Sequence, residues 1–210
     1  GVLHADAYGG YDRLYPNEDN PDSKISEAAC WAHTRRKFYE VTVANNNAII
    51  ATTVLEQMSD IYKIEAEISG LDPGRRLKTR QAKSKILVEE FFKTIKKALG
   101  KLPQKGSTAK AIRYALNNQE ALMRFLGDGK IEIDNNAAER AMRSIALGRK
   151  NWMFAGSNNG GKTAATFYTI IETAKLNNVN PWLYLKKVLD VIQDYNSNKL
   201  VDLLPWNLKL

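Results

Sequence analysis

Asp134-Asn135-Asn136-Ala137-Ala138-Glu139-Arg140-Ala141-Met142-Arg143 is the stretch on which the reading of this 210-residue chain turns. At 100° per residue, Ala137, Ala138, Ala141, Met142 and Ile145 share one arc of about 140°, and Asn135, Glu139 and Arg143 stack four apart just outside it. The small alanines predict a helix packed closely on a sheet, its Glu139 carboxylate emerging at the edge of the buried face. An ordinary Glu139–Arg143 surface pair, worth roughly 0.2–0.5 kcal/mol, is the commoner use of that spacing. Asp6 supplies a companion: it ends the apolar run Val2-Leu3-His4-Ala5 and precedes the turn Tyr8-Gly9-Gly10-Tyr11. Carboxylates at such strand ends suit Mg²⁺, and two such ions can hold the attacking and leaving oxygens of a phosphoryl transfer. The plain alternative for Asp6 is a turn aspartate that bonds the next backbone amides.

Outward from these two points the chain reads as mostly helical. After the first strand and a polar loop, Ala28-Ala29-Cys30-Trp31 predicts a second buried strand leading into a helix with His33, Arg35, Arg36 and Phe38. Residues 131–133 and 152–155 are the other strand candidates. Asn45-Asn46-Asn47 separates that helix from one carrying Ile49, Ile50, Val54, Leu55, Met58, Ile61 and Ile64 at three- and four-residue spacing. Asp72-Pro73 predicts an N-cap followed by proline at the first helical position. Its helix places Leu87, Phe91, Ile95 and Leu99 four apart, with Ile86 and Phe92 beside them. Ser107 is expected to cap the next helix. Three more are expected at about 135–147, 161–177 and 181–196, with Leu203, Leu204 and Trp206 docking the tail.

The composition excludes several classes. With 44% hydrophobic and 26% charged residues the chain is too apolar for a disordered tail. It has no unbroken apolar run of about 18 residues, so no membrane helix is expected. A single cysteine excludes an intrachain disulfide, and two histidines leave few zinc ligands, which points to a reducing, cytoplasmic setting. No secretory leader is visible at Gly1. The net charge of +8 is local: residues 1–74 carry six Lys/Arg against twelve Asp/Glu, residues 75–113 thirteen against two, and residues 114–210 twelve against nine. A segment of that density attracts polyanions with steep salt dependence; a solvated helix face is the competing reading.

Four ordered blocks carry a resemblance. They are Leu3 to Asp12, Cys30-Trp31-Ala32-His33-Thr34-Arg35-Arg36-Lys37-Phe38, Asp134 to Arg143, and Leu147-Gly148-Arg149-Lys150-Asn151-Trp152-Met153-Phe154-Ala155-Gly156-Ser157. Together they resemble the bacterial insertion-sequence-66 transposase family over nearly the whole chain. The resemblance implies a ribonuclease-H-like core in which Asp, Asp and Glu bind two divalent metals (Mg²⁺ or Mn²⁺) for DNA transposition. Asp6 then matches the second aspartate and Glu139 the glutamate, as catalytic metal ligands. The first aspartate lies on a strand upstream of the Asp6 block, and only five residues precede Asp6 here. The expected fold class is therefore α+β, predominantly helical: a partial ribonuclease-H-like core, first strands missing, with a large helical insertion. The expected division is residues 1–40 core, 41–130 insertion, and 131–210 glutamate helix and C-terminal helices. The expected function is the C-terminal portion of a DDE transposase that is inactive alone and holds no metal by itself. It acts on double-stranded DNA, self-associates if its sheet edge is open, and sits at the bacterial nucleoid rather than a membrane.

By the same reading Arg35, Arg36, Arg75, Arg76, Lys78, Arg80, Lys83, Lys85, Arg143, Arg149 and Lys150 face DNA. Cys30, His33 and Asn135 are structural neighbours of the site, since two ligands cannot close a tetrahedral zinc centre. Two readings compete. One is a non-catalytic helical DNA-binding or interaction module. The other is a nucleotide site, because Gly156-Ser157-Asn158-Asn159-Gly160-Gly161-Lys162-Thr163 satisfies GxxxxGK[ST]. A nucleotide-binding core needs further parallel strands, which the 47 residues after Thr163 do not offer.

Overall fold

The fold is described from a computed structural model, covering residues 1–45 and 48–208. Contacts divide it into two compact units, Gly1–Asn136 and Ala137–Leu210.

In the first unit, β1 (Val2–Ala5) and β2 (Ser26–Ala29) pair in parallel, with Val2 opposite Ser26 and Ala5 opposite Ala29. The crossover contains a 3₁₀ turn at Gly9–Leu14 and a turn pinned by Asn17, whose Oδ1 accepts from the amides of Asp19 and Asn20. Trp31 opens α1 (Trp31–Ala44) instead of closing the second strand. These are the only strands among the described residues. Residues 131–133 and 152–155, expected as strands, are not. The first of these segments spends its carbonyls elsewhere: Ile133 O accepts from the Trp31 amide at 3.2 Å and Ile131 O from Arg80 at 2.7 Å.

Helices α2 (Ile49–Glu67), α3 (Pro73–Thr79), α4 (Lys85–Leu99), α5 (Ser107–Asn117) and α6 (Gln119–Met123) enclose the core with α1. Asn46 and Asn47 of the expected break lie outside the described residues, between α1 and α2. Asp72 caps α3 as expected, accepting from the Arg75 amide at 3.1 Å, and Pro73 is its first residue. Ser107 does not cap α5; Gly106 occupies that position and Ser107 is already helical. The buried side of α4 is Val88, Phe91, Phe92 and Ile95, while Ile86 is exposed and Leu87 and Leu99 lie at the margin. The core centre is aromatic. Trp31 stands 5.1 Å from Phe91 and 6.1 Å from Phe125, centroid to centroid, and its Nε1 donates to Leu122 O at 2.8 Å. That bond satisfies the indole N–H, which would be costly to bury unpaired.

The second unit holds α7 (residues Asn136–Gly148, all but the first within it), α8 (Asn158–Leu176) and α9 (Pro181–Val191). Ser157 and Asn180 cap the last two, and Pro181 takes the first position of α9. A 3₁₀ tail, Ser197–Leu203, returns so that Tyr184 Oη donates to Leu203 O at 2.8 Å. Leu203 is buried as expected, but Trp206 is exposed. The α7 arc expected to be buried is not: Ala137, Ala138, Ala141 and Met142 are exposed and Ile145 is half-buried.

Candidate active site and nucleic-acid interface

Asp6 follows β1 directly and is exposed, and Tyr114 Oη of α5 donates to its carbonyl at 3.1 Å. Ala7 next to it has φ +60°, a left-handed conformation uncommon outside glycine, which turns the chain sharply after the strand. Asp6 lies in an acidic neighbourhood. Burial first, then Asp12 and Asp6, push the Glu27 carboxyl up from its ordinary range, with Arg124 opposing. Burial first, then Glu27 and Asp12, push the Tyr15 hydroxyl up to about 12. Sequence reasoning missed Glu27. Its only signal is a carboxylate inside the apolar strand Ser26-Glu27-Ala28-Ala29, and only the register, Leu3 opposite Glu27, reveals where it falls.

Glu139 sits in the first turn of α7, exposed, where the helix dipole favours a carboxylate. Asp6 belongs to the first unit and Glu139 to the second. Among the described residues no three His, Cys, Asp or Glu side chains form a group that could hold a metal ion.

Two of the sequence blocks do meet. Cys30 is buried at the start of α1, its thiol pushed up by burial and drawn back by hydrogen bonding to the Asn135 backbone. Next to Asn135, Asp134 Oδ1 accepts from the Asn136 amide at 3.1 Å and Oδ2 accepts from Tyr62 Oη at 3.2 Å. Burial and Asp134 push the Tyr62 hydroxyl well up. Asp134 thus ties the backbone at Asn136 to Tyr62 of α2, a role its sequence position does not reveal. His33 is half-buried on α1.

The basic residues separate by burial. Arg80 stands in a π-helical turn, Arg80–Ser84, between α3 and α4, and is fully buried. Its Nε and Nη2 donate to the two oxygens of Glu65 at 2.9 and 2.6 Å, and its Nη1 donates to the carbonyls of Phe125, Asp128 and Ile131. A guanidinium engaged this way in the interior cannot meet a phosphate, so the expected DNA contact at Arg80 is withdrawn. Arg76 is also largely occupied, with an 11% exposed side chain and two 2.6 Å bonds to Glu132. Arg35, Arg36, Arg75, Lys78, Lys83 and Lys85 are exposed in the first unit, and Arg143, Arg149 and Lys150 in the second.

The Transposase IS66 family model matches residues 1–163, and the model for the IS66 C-terminal element matches residues 169–206. The chain belongs to the IS66 transposase family. An uncharacterized Sinorhizobium fredii protein, y4qI, is 42% identical over 212 residues, covering 100% of this chain and 39% of its own length. A second from the same organism, y4hP, is 37% identical over 220 residues, covering 100% of this chain and 40% of its own. This IS66 chain thus spans about two fifths of the curated relatives it matches. No solved structure matches it significantly.

The Walker-like segment of this IS66 chain is not a phosphate loop in form. Helix α8 begins at Asn158, so Gly160, Gly161, Lys162 and Thr163 are helical, and residues 152–155 before it are not a strand. Ser157 Oγ accepts from the Gly160 amide at 3.0 Å, and a Cβ on Gly160 would collide with Ala155 O. The glycines serve a capped, tightly folded helix start. No described helix is long and apolar enough to cross a membrane.

Proposed function

We propose that this chain is the C-terminal portion of a DDE transposase with a ribonuclease-H-like core, and that Asp6 and Glu139 are two of its three catalytic carboxylates. The observation that carries the reading is the family match along the chain, 1–163 and 169–206, with Asp6 at a strand end and Glu139 in a helix first turn. In the complete protein Asp6 and Glu139 would help hold Mg²⁺ or Mn²⁺, whose chemistry there would be to activate a water or 3′-hydroxyl nucleophile for phosphoryl transfer. This chain's own contribution is to present two exposed carboxylates on distinct elements and exposed cations for the DNA backbone, namely Arg35, Arg36, Arg75, Lys78, Lys83, Lys85, Arg143, Arg149 and Lys150. Arg80 is absent from that set, and Arg76 is held by Glu132.

Duplex DNA retention by the 210-residue chain tests the partner: binding that weakens steeply with salt is expected, and no retention at low salt refutes it. Replacing Asp6 by Asn or Glu139 by Gln within a longer, active protein tests the roles. Each substitution is expected to abolish strand cleavage and leave DNA retention intact; cleavage that persists removes that residue from catalysis. The second reading is a non-catalytic DNA-binding module, supported by the exposed cations Arg75, Lys78, Lys83 and Lys85.

A further inference from the structure

A groove of about 390 Å³ runs between α1 and α5 in the first unit. Its floor is apolar, formed by Val41, Ala111 and the ring of Tyr114, and its rim carries Lys37 and Lys110. Both lysines are exposed, and among the described residues neither has an acidic partner. Glu40 also lines the groove, but its carboxylate is held by Arg36 Nε at 3.3 Å. Tyr114 joins the groove to the end of β1. Its ring holds the Lys37 ammonium 5.6 Å from the centroid, within cation–π range, and its hydroxyl donates to the Asp6 carbonyl at 3.1 Å.

We propose that this groove seats the phosphodiester backbone of duplex DNA, with Lys37 and Lys110 as phosphate contacts that lead a strand to Asp6. The inference rests on the DNA-transposase reading above and deepens it by naming where the backbone lies. The Tyr114 link to Asp6 selects this groove over a second one, of about 440 Å³, lined by α4 and by Ile50 of α2. That groove carries Lys93, Lys97 and Lys101, of which Lys93 is paired with Glu90 at 3.5 Å, but among the described residues it has no such link to the end of β1. Neither Lys37 nor Lys110 stands out in the sequence. Lys37 hides beside the Arg35-Arg36 pair, and Lys110 is one of thirteen cations in residues 75–113.

The test compares two double variants of the 210-residue chain, Lys37→Ala/Lys110→Ala and Lys93→Ala/Lys97→Ala, which remove the same charge from exposed positions. Fluorescence anisotropy with a labelled duplex is read across a salt series, and circular dichroism checks that both variants fold. The first pair is expected to weaken binding and flatten the slope of log affinity against log salt by about 2, roughly one per lost phosphate contact. The second pair is expected to change it by less. Equal losses in the two pairs, or a larger loss in the second, overturn the groove while leaving DNA binding standing. If the unaltered chain binds no duplex at low salt, the DNA reading and the groove fall together.

Discussion

Arg80 shows how a residue's job is set by partners far away in the chain. Its acceptors on Glu65, Phe125, Asp128 and Ile131 are 15, 45, 48 and 51 positions distant, so nothing local marks it apart from Lys78 or Lys83. Breaking a buried pair leaves an uncompensated charge, and Arg80→Met is expected to lower unfolding stability by about 3–5 kcal/mol in a urea titration. A change under about 1 kcal/mol contradicts the buried network. Tyr62→Phe removes a hydrogen bond to a charged partner and is expected to cost about 1.5–3 kcal/mol by the same measurement. His4 gives a pH signature. Burial holds its imidazole below the ordinary 6.5, against the pull of Asp134, the Ala29 backbone and Glu132. The unfolded chain therefore takes up the proton first, and His4's contribution is complete above pH 6.5 and is lost as pH falls through the lower folded value. Glu27, pushed upward, acts with the opposite sign nearer the carboxylate range. The readout is thus the difference between the unaltered chain and His4→Gln: stability from pH 7.5 to 5.5 falls less in the variant.

At the element scale, what was legible was local. Asp72-Pro73, the spacing of Val54, Met58 and Ile61, and the Pro181 start of α9 each carry their own physics within a few residues. The Asp72 cap is expected to be worth about 0.5–2 kcal/mol, so Asp72→Ala lowers stability by that amount if its bond to the Arg75 amide operates. What was not legible depends on tertiary partners. Residues 131–133 have the composition of a strand, yet their carbonyls are taken by Arg80 and Trp31. The Gly-rich run before Lys162 matches a phosphate loop by pattern, yet Ser157 caps a helix that begins at Asn158 and absorbs it. The four motif blocks and the two candidate carboxylates were proposed from sequence alone, whereas Glu27 required the register of β1 on β2, Asp134 the packing of Tyr62 on α2, and the Lys37–Tyr114–Asp6 link the packing of α5.

Across the whole molecule, order is unevenly distributed. A two-stranded sheet is marginal by itself, while the core of the first unit surrounds Trp31, Phe91 and Phe125 with fully buried side chains from α1, α2, α4 and α5. The chain covers only 39–40% of two relatives that it matches end to end, and a catalytic centre of three carboxylates needs one more than Asp6 and Glu139 supply. Under the proposed function these two residues are two ligands of a metal-dependent active site whose third carboxylate is a further residue. The decisive measurement is incubation of the 210-residue chain with supercoiled plasmid and Mg²⁺ or Mn²⁺. The plasmid is expected to remain supercoiled with the unaltered chain and with Glu139→Gln alike; nicking by the unaltered chain that Glu139→Gln abolishes would keep Glu139 in catalysis but contradict the need for a third carboxylate beyond the two this chain presents.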